Sequence, residues 1–373
     1  MSATLSRVLN VLLLSSRFPW PPYTGDRVRA AVWLAALQNE ATVVLVSPDG
    51  VVPPDAPRFR FYPAARSLGR GVAAAFRVLA GAPFHALLAA PYDWAAAIDR
   101  ARRDVGTFDA TVVLLSRLDP WVRASLPDGL HVLDAIDSLR RSMEERAREA
   151  SVLERWLWRI EGMRVGGAEA EAVRFYERVV VVSEEDCEEL DAVAISNGVE
   201  IAPLGNAPRR FDFAFWGRLA YFANADAAAW LIREIWPRIR AQRPEATLLI
   251  GGADAPAAIR AAHGRDGITV QSPVDDVSAL TRSVKVALFP VRFGTGQSNK
   301  VLEAAEGGCA IVATKHAMRG LDALTPYTSI AADASGLARA AVAAVPNGAL
   351  RTAVEAHYSR AATLDRLRNV VKR

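Results

Sequence analysis

Short apolar runs alternate with longer amphipathic stretches along most of the chain. In the first half, runs at 8–14, 42–46, 110–115, 131–133 and 179–182 read as strands of a parallel sheet. Strands covered on both faces are continuously apolar instead of alternating. After the first run comes RFPWPPYTGD, then a helical pattern over 27–37 with Val28, Ala31, Val32 and Ala35 on one face. Strand, loop, helix and strand in that order open a doubly wound α/β sheet. A charged stretch over 138–177 reads as helical, interrupted near Gly162 and at Gly166-Gly167, with Trp156 and Trp158 among arginines. It is either a helical hairpin packed on its own domain or an amphipathic helix facing a membrane. After a linker over 195–210 the βα pattern restarts. Strands are predicted at 213–216, 247–250, 268–270, 286–290, 310–313 and 329–331, with helices such as 225–242 and 299–306. The pattern predicts two doubly wound domains, 1–200 and 201–355, with a cleft between them. Ligands in such sheets bind beyond the carboxyl ends of the strands.

Composition narrows the picture. A chain of 373 residues exceeds what one core usually serves, which agrees with two domains. Half the residues are hydrophobic, which excludes a disordered chain. The net charge of +4 suits a small polyanionic ligand or an acidic membrane surface, and the lack of a long basic run argues against nucleic acid. Cys187, Cys309 and the five histidines are scattered, so no metal site or disulfide framework is expected, and a reducing cytoplasm fits. The apolar run at 8–14 is too short to span a bilayer and lacks a leader's cleavage site.

Candidate chemistry concentrates at predicted strand ends. The segment GTGQSNKVLEA matches neither G-x-x-x-x-G-K-[ST] nor G-x-G-x-x-G. It still places a glycine loop before a helix N-terminus, where free N–H groups and the dipole favour an anion. Gly294 and Gly296 allow close backbone approach. Lys300 adds a positive charge for phosphate, and Glu303 is a bidentate acceptor for a vicinal diol such as a ribose. The competing reading is a solvated Lys–Glu pair. Gly217 and Arg218 end the first strand of the second domain, and Arg218 can fork onto phosphate. In the first domain, Gly25, Asp26 and Arg27 follow the first loop; Asp26 is expected to cap the helix. Asp134 and Asp137 lie at the end of another strand and are candidates for polar contacts to an acceptor, although Asp137 also fits a helix cap.

Taken in order, SRFPWPPYTGDRVR, VLDAIDSLRRS, VVVVSEEDCEEL, ISNGVE, FWGRLAYFANADAAAWLIREIWPRIRAQRPEATLLIGG, SPVDDVSAL, FPVRFGTGQSNKVLEAAEGGCAIVAT and a closing HYSR resemble bacterial glycosyltransferases of family 4. The sugar transferases of exopolysaccharide gene clusters are the type most resembled. The resemblance implies a GT-B fold, two Rossmann-like domains facing across a cleft, with a last helix at about 359–371, in the segment 356–373, crossing back to the first domain. It implies a retaining hexosyltransferase that moves a sugar from a nucleotide sugar to a saccharide acceptor, lipid-linked in many relatives, in polysaccharide synthesis at the cytoplasmic membrane face. No cofactor or metal is implied. By carry-over, Glu303 holds the ribose hydroxyls, Arg218 and Lys300 the diphosphate, and a loop from Val274 to Val277 lies near the base. Two positions depart from the family pattern. Thr295 stands where many members have a second glutamate, and Asn224 where many have a lysine, a charge that Lys300 would replace. An inverting reaction would need a base, for which Asp137 or Asp26 qualifies. Two other readings are a nucleotide-sugar epimerase on the same fold and a non-catalytic nucleotide-sugar-binding scaffold.

Overall fold

The structure is a computed structural model that describes residues 8–22, 24–149, 151–205, 208–294 and 297–372. The chain divides into two compact units, one of Met1–Asn197 with Thr363–Arg373, the other of Gly198–Ala362.

The first unit is built on a parallel sheet of seven strands in the order β3-β2-β1-β4-β5-β6-β7. These are β1 Leu9–Ser15, β2 Ala41–Ser47, β3 Arg60–Pro63, β4 Ala110–Leu114, β5 Leu130–Ile136, β6 Arg178–Val181 and β7 Val193–Ala194. Their continuous apolar runs have the predicted cause. Leu12, Leu14, Val44 and Val46 face one core, while Val11, Leu13, Val43 and Leu45 face another on the opposite side of the sheet. Helix Trp94–Val105 covers the first side with Trp94, Ala97, Ile98 and Ala101. Helix Gly25–Leu37 covers the second with Ala30, Trp33, Leu34 and Leu37, joined there by Leu367 and Val371. The buried face of helix 25–37 is thus turned from the expected Val28, Ala31, Val32 and Ala35. Only Val32 of those is buried, because Arg29 and Trp33 reach inward to Asp134. The last chain segment is fixed by arginines: Arg178 donates to the carbonyls of Val370 (2.5 Å) and Lys372 (2.7 Å), and Arg368 to that of Ala36 (2.8 Å).

The stretch over 138–177 forms helices Leu139–Glu149 and Val152–Phe175, which pack on each other as a hairpin. Where they touch, Gly162 and Gly166 make room for Met143 and Arg140. Trp158 is half-buried beside Phe84 with Arg146 over its ring, whereas Trp156 is exposed.

The second unit has a parallel sheet of six strands, ordered β10-β9-β8-β11-β12-β13. They are β8 Phe211–Trp216, β9 Leu248–Gly251, β10 Ile268–Gln271, β11 Val284–Phe289, β12 Ala310–Ala313 and β13 Ser329–Ile330. The expected helix over 225–242 begins earlier and is not uniform: Phe222–Trp230 and Trp236–Gln242 flank a wider π turn at Leu231–Ile235. Pro237 sits just past that turn and has no N–H to give to a carbonyl four residues back, which explains the local widening. In both sheets the order reverses around the first strand, β1 or β8. That is the point at which doubly wound sheets bind ligands.

Candidate active site

In the second unit, the end of β8 carries the candidate site. Gly217, the next residue, has φ +148° and donates to the carbonyl of Gly251 at the end of β9 (3.1 Å). A Cβ on Gly217 would lie 2.9 Å from Asn224 Nδ2, and one on Gly252 would lie 1.7 Å from Gly217 O. Glycine is therefore required at both turns on steric and conformational grounds. Val274, half-buried, packs beside Gly251 and so next to Trp216; Val277 opens helix Val277–Arg282, whose cap is Asp276.

Helix Asn299–Glu306 begins beyond β11, as expected. Glu303 accepts a hydrogen bond from Trp216 Nε1 through Oε2 (2.9 Å), and burial raises its carboxyl above the usual range. Lys300 donates to Asn224 Oδ1 (2.5 Å) and lies over the Phe215 ring at 5.4 Å. Burial lowers its pKa to about 8, with Glu303 opposing the shift. Asn224 in turn donates to the Arg218 carbonyl (3.0 Å). The position where a lysine was expected from the family pattern thus holds the lysine of another helix. Ser298, at the N-cap of helix 299–306, makes no side-chain cap bond, and its enclosed Oγ has no hydrogen-bond partner. A buried unpartnered hydroxyl at a helix N-terminus is a donor without an acceptor. The Arg218 side chain turns to Asp254 (3.0 Å) in an exposed ion pair. Gly294 has φ +117° and lies so close to Tyr221 that a Cβ would meet its Oη at 3.3 Å. Thr295 and Gly296 lie outside the described residues.

In the first unit, the structure corrects two expectations. Asp26 does not cap helix 25–37. The helix starts one residue before it, Thr24 is the N-cap, and the Asp26 carboxylate pairs with Arg117 (3.0 Å) and Arg17 (3.4 Å). Asp134 is not open to an acceptor. It is fully buried, accepting from Arg29 Nε and Trp33 Nε1, both at 2.6 Å, and from the Ile136 amide at 3.1 Å. Asp137 is half-buried and contributes to the field at Arg117, together with Asp26 and Arg17. Gly25 faces open space, and Arg27 donates to the Pro21 carbonyl (3.2 Å). The ends of β4 and β5 hold Leu115 and Ile136 at φ +73° and +67°, a conformation that costs such side chains on the order of 1–3 kcal/mol each. The turns they make carry Ser116 and Arg117 on one strand and Asp137 and Ser138 on the next.

Residues 210–347 match the family model described as Glycosyl transferases group 1. The matched stretch lies within the second unit. Among solved structures, the chain is similar to sucrose-phosphate synthase from Thermosynechococcus elongatus. The two share 15% identity and a TM-score of 0.67, covering 97% of this chain and 98% of that one. A UDP-forming α,α-trehalose-phosphate synthase from Burkholderia xenovorans aligns with TM-score 0.66 and 13% identity over 97% and 99% of the two chains. HepE of Anabaena, in complex with UDP and glucose, aligns with TM-score 0.63 and 11% identity over 97% and 99%. A search of curated proteins gave no match. The fold is GT-B, with two parallel-sheet α/β units.

Several residues around the candidate site escaped the sequence reading. His316 Nε2 lies 2.6 Å from the Gly294 carbonyl and Arg319 donates to the same oxygen (3.3 Å), while Gln297 donates to the Gly320 carbonyl (2.9 Å). The glycine loop is thus held from the segment after β12. Trp216 was legible only as a strand residue, since its partner Glu303 is 87 positions away. Arg117 gave no signal either: a lone arginine after a strand looks like any surface arginine.

Proposed function

We propose that the protein is a retaining glycosyltransferase that moves a hexose-type sugar from a nucleotide-diphosphate sugar to a saccharide acceptor in bacterial polysaccharide or glycoconjugate synthesis. The observation that carries this reading is the start of helix 299–306. There an unpartnered Ser298 hydroxyl, the first-turn Lys300 and Glu303 lie on one short helix beside the Gly217 turn. The amides, Ser298 and Lys300 suit a diphosphate, and the Glu303 carboxylate, held by Trp216, suits a ribose diol. Val274 and Val277 form the apolar side near the base, and Gly294 lies near the sugar, with Thr295 and Gly296 following it in sequence. The likeness to a protein solved with UDP and glucose supports a donor of this class.

As the glycosidic bond breaks, negative charge grows on the leaving diphosphate. Arg218, Lys300 and the helix N-terminus stabilise it, in an arrangement that needs no metal or other cofactor. Retention needs no protein nucleophile if the leaving phosphate takes the acceptor proton. The first unit receives the acceptor through Gly25, Asp26, Arg27 and Asp137. A base-assisted, inverting reaction would instead draw on Asp137 or Asp26 as the proton acceptor. The acceptor is a saccharide, free or carried on a lipid at the cytoplasmic membrane face. Donor turnover with a saccharide or lipid-linked acceptor extract, followed by NMR of the product anomer, tests this. The proposal expects acceptor-dependent turnover and a product with the donor's configuration. Turnover without acceptor indicates an epimerase, binding without turnover a scaffold, and an inverted product a base-assisted reaction.

Arg218 gives a separable prediction. Its exposed pair with Asp254 contributes about 0–1 kcal/mol, so Arg218→Ala should leave the melting temperature nearly unchanged. The same change should weaken nucleoside diphosphate binding by about 10–100-fold, the worth of a charged hydrogen bond. Calorimetric titration beside a thermal melt separates the two effects.

A further inference from the structure

Helix Leu68–Leu79 in the first unit is built the wrong way round for a soluble surface. Among its residues only Ala74 is buried. The large apolar side chains point outward: Leu68, Val72, Phe76 and Leu79 are 84%, 61%, 68% and 82% exposed. Their spacing of four, four and three places them on one ridge. The inner face is made of small or short residues, with Gly71 near Pro91, buried Ala74 and half-buried Val78. The arginines are not on the ridge but serve as moorings. Arg70 pairs with Asp93 (2.8 Å) and Arg77 lies over the Trp121 ring at 5.4 Å. The chain before the helix is tied down as well, since the Ser67 amide donates to the Pro91 carbonyl (2.6 Å). Folding alone would favour burying the ridge and exposing the arginines. The opposite arrangement means that the ridge has a partner.

Charge indicates which. From residue 56 to residue 92 there is no aspartate or glutamate, while Arg58, Arg60, Arg66, Arg70 and Arg77 all lie in that stretch. An apolar ridge in an acid-free, arginine-rich stretch of chain, with Asp93 just beyond it paired to Arg70, matches an anionic lipid interface, where apolar insertion and headgroup attraction act together. Among the described residues no helix is long and apolar enough to cross a membrane, so this would be contact with the surface of the bilayer. We propose that helix 68–79 docks the protein on an anionic bilayer through Leu68, Val72, Phe76 and Leu79. The sequence reading looked for such contact at Trp156 and Trp158. Trp158 is packed within the unit, and the ridge of helix 68–79 gathers four exposed large apolar side chains in twelve residues.

The proposal concerns where the protein sits and does not depend on what it transfers. Its test is flotation of the full chain with phosphatidylcholine vesicles, with and without phosphatidylglycerol. The intact protein should float with the anionic vesicles, and raised salt should weaken the binding. Phe76→Ser with Leu79→Ser should reduce binding about tenfold or more. The melting temperature should not fall, because neither side chain is buried. Glu303→Ala should float like the intact chain, so a failed donor site and a failed membrane site give different results. The proposal is overturned if the intact chain does not float, or if the serine variant floats equally well. It is also overturned if the chain is a dimer that the serine variant separates, which would assign the ridge to a second copy.

Discussion

Replacing Asp134 by alanine should unfold the first unit about 10 °C earlier than the intact chain. The Asp134 carboxylate and the Arg29 guanidinium form an ion pair with both side chains fully enclosed. Removing one partner of such a pair leaves a buried charge and costs about 3–5 kcal/mol. For a unit of this size each kcal/mol shifts the midpoint by about 2–4 °C. The loss spreads beyond the pair. Arg29 also donates to the Ser196 carbonyl and Asn197 Oδ1, both at 3.3 Å, so it joins the first helix, β5 and the end of the first stretch of the unit. Trp33 loses its acceptor at the same time. Replacing both members, Arg29→Met with Asp134→Leu, should cost less than Asp134→Ala alone, since no unpaired charge remains. Calorimetric melts of the three proteins check this. A shift of under about 2 °C for Asp134→Ala would show that the pair is not the anchor described here.

The same residue shows where sequence reasoning stops. The apolar run HVL marks the middle of β5, but the strand continues to Ile136. Asp134 therefore lies within the sheet and not at its edge. Its counter-charge comes from a helix residue 105 positions earlier, which no local pattern can reveal. Asp26 was misjudged on a smaller scale, by a helix that starts two residues sooner than its first apolar turn suggests. Strands β3 and β7 were missed because they are short, and their residues are half-buried or exposed, so they lack a continuous apolar run. Strands such as β1, β2, β4, β9 and β12 were legible, since burial on both faces leaves few polar positions to blur the signal. Helix 299–306 was legible to the residue, from its loop, its charged first turn and its closing glycines. What its sequence could not show was Trp216 on Glu303 and Asn224 on Lys300, contacts that close over the strand end. Helix 68–79 was invisible for another reason: nothing in an alternation of Ala, Val and Arg says that the large residues face outward.

Lys300 carries the largest functional prediction. Lys300→Met should lower kcat/KM for transfer by about 100–1,000-fold, the usual loss when one preorganised donor to developing charge is removed. The pH dependence has a definite sign. Burial lowers the free lysine to about 8, so the ammonium form prevails below that pH and is lost above it. Only the charged form attracts a diphosphate. Affinity should therefore be flat between pH 6 and about 7.5 and fall as pH rises through about 8, by up to tenfold per pH unit. Diphosphate binding to Lys300→Met should be weak and lack this fall. Conversely, folding stability contributed by Lys300 should rise with pH from about 8 toward its ordinary value, because the unfolded chain keeps the proton there and the folded one does not.

The central claim is that the helix beginning at Asn299 holds a nucleoside diphosphate between Lys300 and Glu303. Thermal melts of the intact chain and of Glu303→Ala with UDP-, GDP-, ADP- and TDP-sugars test it most directly. One nucleotide should raise the midpoint of the intact chain by several degrees, as a ligand at about 100 times its Kd contributes about 2.7 kcal/mol. That rise should vanish in Glu303→Ala, whose own unliganded midpoint, lowered by loss of the Trp216 hydrogen bond, is the reference for the comparison. An equal rise in Glu303→Ala, or no rise with any nucleotide in the intact chain, would contradict the assignment.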